Sequence, residues 1–402
     1  MAEPFAFNPL DPDTRRDPYA IYERGRREFP VFSHQGLPLP IHSVFRYADV
    51  QAVLSDADTW SSDFAAARGL DEESDVPPSM IGMDPPEHTR LRSLVNKAFT
   101  PRIIQRLEPR MHEIAHTLLD GALEAGEVDL VQALTYPLPV TVIAEMIGVP
   151  AEDRAQFKRW SDEAVSSLGV VFLAGTDPER RRRMVRVFDE MRGYFVPLAE
   201  ERRSHPREDL LTGLVQAEHE GSKLNHGEML SMLVLLLVAG NETTTTLIGN
   251  AVLELLAHPD ELKRLRDRPE FLSSAIEEVL RFSSPVQFDP RRATHRLELD
   301  GVEIAADDFV LCWLASANRD ESVFERPDVF DISRERNPHL AFGFGAHYCL
   351  GANLARLEAR VAVATLLERT RHFERVGDEK LPLHPSPVFK GVTELPLRLV
   401  AR

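Results

Sequence analysis

The chain has 402 residues, of which 43% are hydrophobic and two are cysteines, and 47 basic against 64 acidic side chains give a formal charge of −17. That length admits two domains or one large domain with two lobes, and the apolar fraction suffices for a substantial core. The acidic balance excludes nucleic acid as a partner of the whole chain, because like charge repels a polyanion.

In chain order, the N-terminal stretch MAEPFAFNPLDPDTRRDPYAIYERG is rich in proline and charge. It holds no apolar run of the kind that exports or anchors a protein, so a cytoplasmic location with no membrane anchor is expected. Val31 to Val44 alternates apolar residues with turn signals and reads as strand. PPEHTRLR follows, with His88 and Arg92 at i,i+4 on one helix face. From about Pro101 to Leu280 the pattern is helical, in long amphipathic stretches broken by prolines and charged turns. Leu297 to Cys312 and the C-terminal LPLRLV again read as strand. There is no repeat and no low-complexity tract. The fold class is therefore mainly α, with a small β portion drawn from distant parts of the chain. One interleaved domain over residues 1–402 is expected, its α-rich lobe from 85–282 and 347–372, its β-rich lobe from 30–60, 285–315 and 380–400.

The longest helix candidate runs from Asn225 to His258, with Asn225 as N-cap, Glu228 three residues on to complete a capping box, and Pro259 as the stop. About thirty residues at ~1.5 Å each span on the order of 45 Å, enough to cross a domain. Its run MLSMLVLLLVA is too short to span a bilayer and passes directly into Gly240, Asn241, Glu242 and four threonines, so a buried central helix is the better reading. The polar interruption AGNETT, Ala239 to Thr244, allows a bulge, because a Thr hydroxyl competes for the carbonyl four residues back. Thr243 is thus expected to reach toward Ala239. Further on, Glu278 and Arg281 in AIEEVLRF form an i,i+3 pair that alone carries little information, since most such pairs are exposed.

The most specific signal is FGFGAHYCLG, residues 342–351, a glycine-rich loop that presents Cys349 at the start of a helix read from Leu350 onward. A helix N-terminus lowers a thiol pKa without another charged side chain, which suits a metal-ligating thiolate. Gly343, Gly345 and Gly351 allow sharp turns, N–H bonds to sulfur and close approach of a planar ring. Other readings of Cys349 are an inert buried thiol, or a nucleophile assisted by His347. Zinc would need several ligands, and no Cys-x-x-Cys pair exists; a disulfide to Cys312 lacks a secretory context.

The spacing Phe-x-x-Gly-x-His-x-Cys-x-Gly resembles the haem-binding loop of the cytochrome P450 superfamily, and with the AGNETT, Glu-x-x-Arg and HTRLR motifs in order the resemblance runs from about Asp17 to Leu399. It implies a triangular helical prism with a small β-rich lobe and haem b between the long central helix and the helix after Cys349, of the soluble bacterial type. Cys349 would be the axial iron ligand, with Phe342, Gly343, Gly351 and Ala239 against the haem. His88, Arg92, Arg291 and His347 would hold its propionates, with Arg292 the fallback for Arg291. Thr243 would hydrogen-bond dioxygen and Glu242, in place of the commoner Asp, would relay protons. Glu278 and Arg281 would be a buried structural ion pair. Val238, Ala239, Val286 and Phe389 would face an apolar substrate pocket, and the loop from Phe64 to Met83 would form part of a lid, its DEESD solvated.

The implied reaction inserts one atom of O2 into a C–H bond of a lipophilic molecule such as a terpenoid, steroid, fatty acid or polyketide. Electrons from NAD(P)H would arrive through a reductase with a ferredoxin or flavodoxin, docking at Arg102, Arg106, Arg110, Arg356 and Arg360. A peroxide-driven peroxygenase and a non-catalytic haem sensor are the alternatives. Intact Glu242 and Thr243 count against the first, and a sensor needs no proton relay.

Overall fold

The computed structural model describes residues 5–37, 39–64, 79–96, 99–167, 178–219 and 222–402. Most of the lid segment and its DEESD run lie outside them.

Among the described residues, the largest sheet has five strands in the spatial order Val31–Ser33, Ile41–Val44, Phe309–Cys312, Asp289–Ala293, Trp60–Ser61. Ile41–Val44 runs parallel to Phe309–Cys312, with Ile41 opposite Phe309, while the other pairings are antiparallel. A parallel neighbour demands a long crossover, and here nearly all the helical part of the chain lies between the two strands. A second sheet joins Thr370–Arg375, Pro396–Ala401 and Glu127–Asp129. The strand Asp289–Ala293 lies within the 285–315 portion expected to be β-rich, although it contains proline and two arginines. It is nonetheless an inner strand, and its alternation buries Arg291 and Ala293 on one face.

The central helix spans His226–Ala257, and its capping box is complete: Asn225 Oδ1 accepts from the Glu228 N–H and the Glu228 carboxylate accepts from the Asn225 N–H, both at 2.9 Å. An apolar sequence on all sides makes a helix that must be covered on all sides. It packs against Pro137–Ile147, Arg154–Ser167, Pro178–Ser204, Leu272–Phe282 and Ala352–Arg369. Within its apolar window 72% is buried inside the protein. Leu233, Leu237, Ile248, Ala251 and Val252 are fully enclosed, each large side chain contributing about 1.5–3 kcal/mol. The expected bulge is absent: the helix runs unbroken through Ala239–Thr244. Thr243 Oγ1 donates to the Ala239 carbonyl at 2.7 Å without interrupting it. The depression in this face comes instead from the small residues Ala239 and Gly240, which stay accessible in the middle of an otherwise buried run.

The helix after Cys349 starts at Ala352, two residues later than the apolar pattern suggested, with Gly351 as N-cap. It packs on the central helix and on Pro101–Ala125, so the loop that carries Cys349 is held between deep helices and the five-stranded sheet.

Candidate functional site

The loop 342–351 is tied by its own backbone. Cys349 N–H donates to Phe342 O at 2.9 Å, Gly343 N–H to Leu340 O at 2.8 Å and Tyr348 N–H to Gly345 O at 3.1 Å. Gly343 and Gly345 adopt φ of +71° and +72°, the left-handed region that a side chain disfavours. Gly345 has a second reason to be glycine, since a Cβ there would sit 2.4 Å from the Leu54 carbonyl oxygen. Gly351 does not make the sharp turn expected of it: its φ is −84°, and a Cβ there would meet open space.

The electrostatics of Cys349 also depart from expectation. Burial pushes its thiol above the ordinary value, and the Gly351 N–H, Arg92 and Arg356 only oppose that push. The helix starts beyond the cysteine, and the N–H of its N-cap, Gly351, acts on the sulfur against the effect of burial. A cation placed against this sulfur would shift it toward thiolate.

Arg92 Nη2 donates to the Tyr348 carbonyl at 2.6 Å, linking the helix Glu87–Asn96 to the loop. Arg356 stacks 4.5 Å over the Phe342 ring and forks onto Glu277 at 2.7 and 2.9 Å. His339 lies against the same carboxylate at 3.1 Å. Burial alone would raise Glu277, but the hydrogen bonds from His339 and Arg356 win and hold it at about 2.

His88, His347 and Arg291 converge beside the loop. The two imidazoles lie 4.0 Å apart. Both nitrogens of His88, Nε2 of His347 and Nη2 of Arg291 are buried polar atoms with no hydrogen-bond partner. Burial lowers the His88 pKa and takes His347 to about 4, with neighbouring His88 and Arg291 adding to the depression at His347. Four orphaned polar nitrogens in one place cost roughly 1–3 kcal/mol each unless something pairs with them. A bound anion is the chemistry that fits, and the carboxylates of haem b match it: the residues present fit the group. Arg291 is the inward arginine, salt-bridged to Asp289 at 2.9 Å. Arg292 points the other way, onto Asp307 and the Asp63 carbonyl.

On the central helix Ala239, Gly240 and Thr243 are accessible, as are Val286 and Phe389, which pair as an isolated β-bridge. Val238 is instead part of the main core. The Glu242 carboxylate does not hang free: its Oε2 lies 3.1 Å from His384 Nε2, a residue from the C-terminal segment. Behind this face, Glu358 is fully buried against Thr244, and burial raises it to about 8 despite that hydrogen bond.

Glu278 and Arg281 have no exposed side-chain surface and are paired at 2.7 and 2.8 Å. Arg334 adds a second guanidinium to Glu278 at 3.0 Å. Sequence reasoning missed Arg334, His384, Glu358 and the Glu277–His339–Arg356 cluster, because nothing local marks residues whose partners lie tens of positions away. Of the five arginines expected to form a docking patch, Arg102 and Arg106 are exposed and Arg360 partly so. Arg110 is spent on Glu145 and Glu113, and Arg356 on Glu277.

Residues 3–396 match the cytochrome P450 family. Cytochrome P450 109 of Bacillus spizizenii is 43% identical over 385 residues, covering 95% of this chain and 92% of that one. Among solved structures, cytochrome P450 CYP109Q5 from Chondromyces apiculatus is similar with a TM-score of 0.89 at 42% identity, covering 98% of both chains. CYP109E1 from Bacillus megaterium in complex with testosterone is similar with a TM-score of 0.84 at 38% identity, covering 95% of this chain and 99% of that one.

Proposed function

The chain belongs to the cytochrome P450 family and is a monooxygenase that works with haem b, O2 and NAD(P)H-derived electrons; from that premise we propose that Cys349 is its iron ligand and that it oxidises a steroid-sized lipophilic molecule. The observation that carries the proposal is the set of orphaned buried atoms on His88, His347 and Arg291 beside the Cys349 loop. When bound, haem b supplies the iron centre at which dioxygen is reduced, one atom entering a C–H bond and the other leaving as water.

Every other part of the task falls to the chain's own residues. Cys349 would ligate the iron through its sulfur, with the Gly351 N–H favouring the thiolate. His88, Arg92, Arg291 and His347 would donate hydrogen bonds to the propionates. Phe342, over which Arg356 stacks, would pack against the group with Gly343 and Gly351, and the small Ala239 would leave room for it. Thr243 and Glu242 stand on the central helix, where the Thr243 hydroxyl would exchange its bond to the Ala239 carbonyl for one to the oxygen substrate. Glu242 supplies protons from behind it.

The accessible apolar side chains of Ala239, Val286 and Phe389 support an apolar substrate. The likeness to a relative solved with testosterone supports the steroid class. Arg102, Arg106 and Arg360 offer an acidic ferredoxin a basic face near the loop.

The test is the absorption spectrum of the purified protein, reduced and exposed to carbon monoxide. The strongly red-shifted Soret band of a thiolate-ligated haem is expected, and lost in Cys349→His. A band typical of histidine ligation in the unmodified protein refutes the assignment of Cys349. Titration with testosterone then tests the substrate class through a spin-state shift, whose absence refutes the steroid assignment.

A further inference from the structure

His384 sits in the C-terminal segment, and the structure fixes it from four sides. Its N–H donates to the Gly391 carbonyl at 3.0 Å across a local turn. Gly391 in turn lies so close to the central helix that a Cβ would meet Thr246 Cγ2 at 2.6 Å, and Asn250 Nδ2 donates to the Lys390 carbonyl at 2.8 Å. Arg15, from near the N-terminus, donates to the carbonyls of both His384 and Ser386. The imidazole rests edge-on against the Phe389 ring at 4.9 Å. A side chain that is 7% exposed and held so firmly has its ring nitrogens aimed by the fold.

The aim of each nitrogen is specific. The Ser386 N–H lies 3.1 Å from Nδ1 and donates to it, which leaves Nε2 to carry the ring proton. Nε2 faces Glu242 Oε2 at 3.1 Å, so the imidazole donates and the carboxylate accepts. The Ser386 carbonyl is also within 3.4 Å of Nδ1, an acceptor ready should that nitrogen gain a proton. Pro385, next in the chain, is exposed, so this end of the ring is the solvent side.

We infer that His384 is a positioning residue that holds Glu242 and passes it protons from the solvent side of the C-terminal turn. The inference rests on the monooxygenase reading of the site. Water protonates Nδ1, the Nε2–H bond breaks as an Oε2–H bond forms on Glu242, and the ring is left with its proton on Nδ1, held by the Ser386 carbonyl. Solvent water then carries the Nδ1 proton back to Nε2, which restores the starting tautomer of the ring. One proton has moved inward and no electrons have changed hands. Glu242, carrying it, turns toward Thr243, and the acid and alcohol stand together on the central helix.

The first test needs no turnover. Imidazole nitrogen-15 spectra of the haem-loaded protein in its reduced, carbon monoxide-bound form, with His384 assigned by its loss in His384→Gln, are expected to show a proton on Nε2. A bare Nε2 overturns the inference. The second test compares His384→Ala and His384→Gln, both retaining the thiolate band, in product formed per NADPH consumed with testosterone as probe. Roughly tenfold lower coupling is expected in both, with the missing electrons recovered as hydrogen peroxide, the scale typical of losing a partner that orients a working group. Glutamine can still donate to Glu242 but cannot shuttle a proton. Unchanged coupling in either variant, or full rescue by glutamine, overturns proton transfer through His384. Should the unmodified protein lack the thiolate band, the monooxygenase site assignment fails, while the nitrogen spectra still decide the His384–Glu242 contact.

Discussion

Replacing Glu278 by alanine is the sharpest test of what holds the scaffold around the Cys349 loop. Its carboxylate accepts from Arg281 Nε and Nη2, from Arg334 Nε at 3.0 Å, from Asn337 Nδ2 at 3.1 Å and from the Asp331 N–H at 3.0 Å. Glu278 and Arg281 are both fully buried and Arg334 nearly so. In Glu278→Ala, Arg281 keeps three carbonyl partners, those of Asn318, Pro327 and Val329, but no counter-charge. Breaking a buried pair from one side costs about 3–5 kcal/mol, and the second guanidinium places the expectation at the upper end. Against a total stability of about 5–15 kcal/mol, that is a third or more. The assay is guanidinium unfolding of the haem-loaded protein, followed by far-ultraviolet dichroism and the Soret band together. The companion Glu278→Leu/Arg281→Met removes both fully buried charges, and its loss should be smaller than that of Glu278→Ala alone, because only Arg334, at 11% exposure, then lacks the Glu278 carboxylate instead of Arg334 and Arg281 together. A cost below about 1 kcal/mol for Glu278→Ala, or a double variant worse than the single, refutes the account.

The two neighbouring arginines should separate cleanly: Arg291→Ala is expected to weaken haem retention roughly tenfold or more, since charged hydrogen bonds contribute about 1.5–3 kcal/mol, while Arg292→Ala leaves it unchanged. Haem transfer to apomyoglobin measures this. Glu358 sets a pH dependence. Its folded pKa is raised to about 8, so between the ordinary carboxylate range and pH 8 the folded state binds more protons than the unfolded one, and stability falls as pH rises through that window. Glu358→Gln removes that slope, on the order of 5 kcal/mol at its full extent, and unfolding midpoints at pH 5 and pH 8 check it. Charge reversal of Arg102 and Arg106 to Glu should lower the ferredoxin association rate about tenfold at low salt and leave the thiolate spectrum unchanged, as read by stopped-flow reduction.

Several features were legible because they are short-range. The caps and length of the central helix follow from Asn225, Glu228 and Pro259, and the glycine turns around Cys349 follow from local backbone freedom. The Thr243 bond to Ala239 follows from a spacing of four. Less legible was anything two-sided. The strand Asp289–Ala293 looked polar because one face of it carries buried Arg291 into the site, and only the neighbouring strand Phe309–Cys312 decides which of two adjacent arginines turns inward. The docking arginines showed the converse: Arg110 and Arg356 looked available until the fold brought Glu145 and Glu277 against them.

The sequence by itself determined the helical class, the central helix, the motif order and therefore the family, since each rests on periodicity or spacing within a few turns of chain. The tertiary structure decided the partners: His384 on Glu242, Arg334 on Glu278, His88 beside His347. A charged or hydrogen-bonding side chain takes whatever complementary group the packing brings within about 3 Å, and chain closure over 142 residues, as between Glu242 and His384, is set by how the whole core packs.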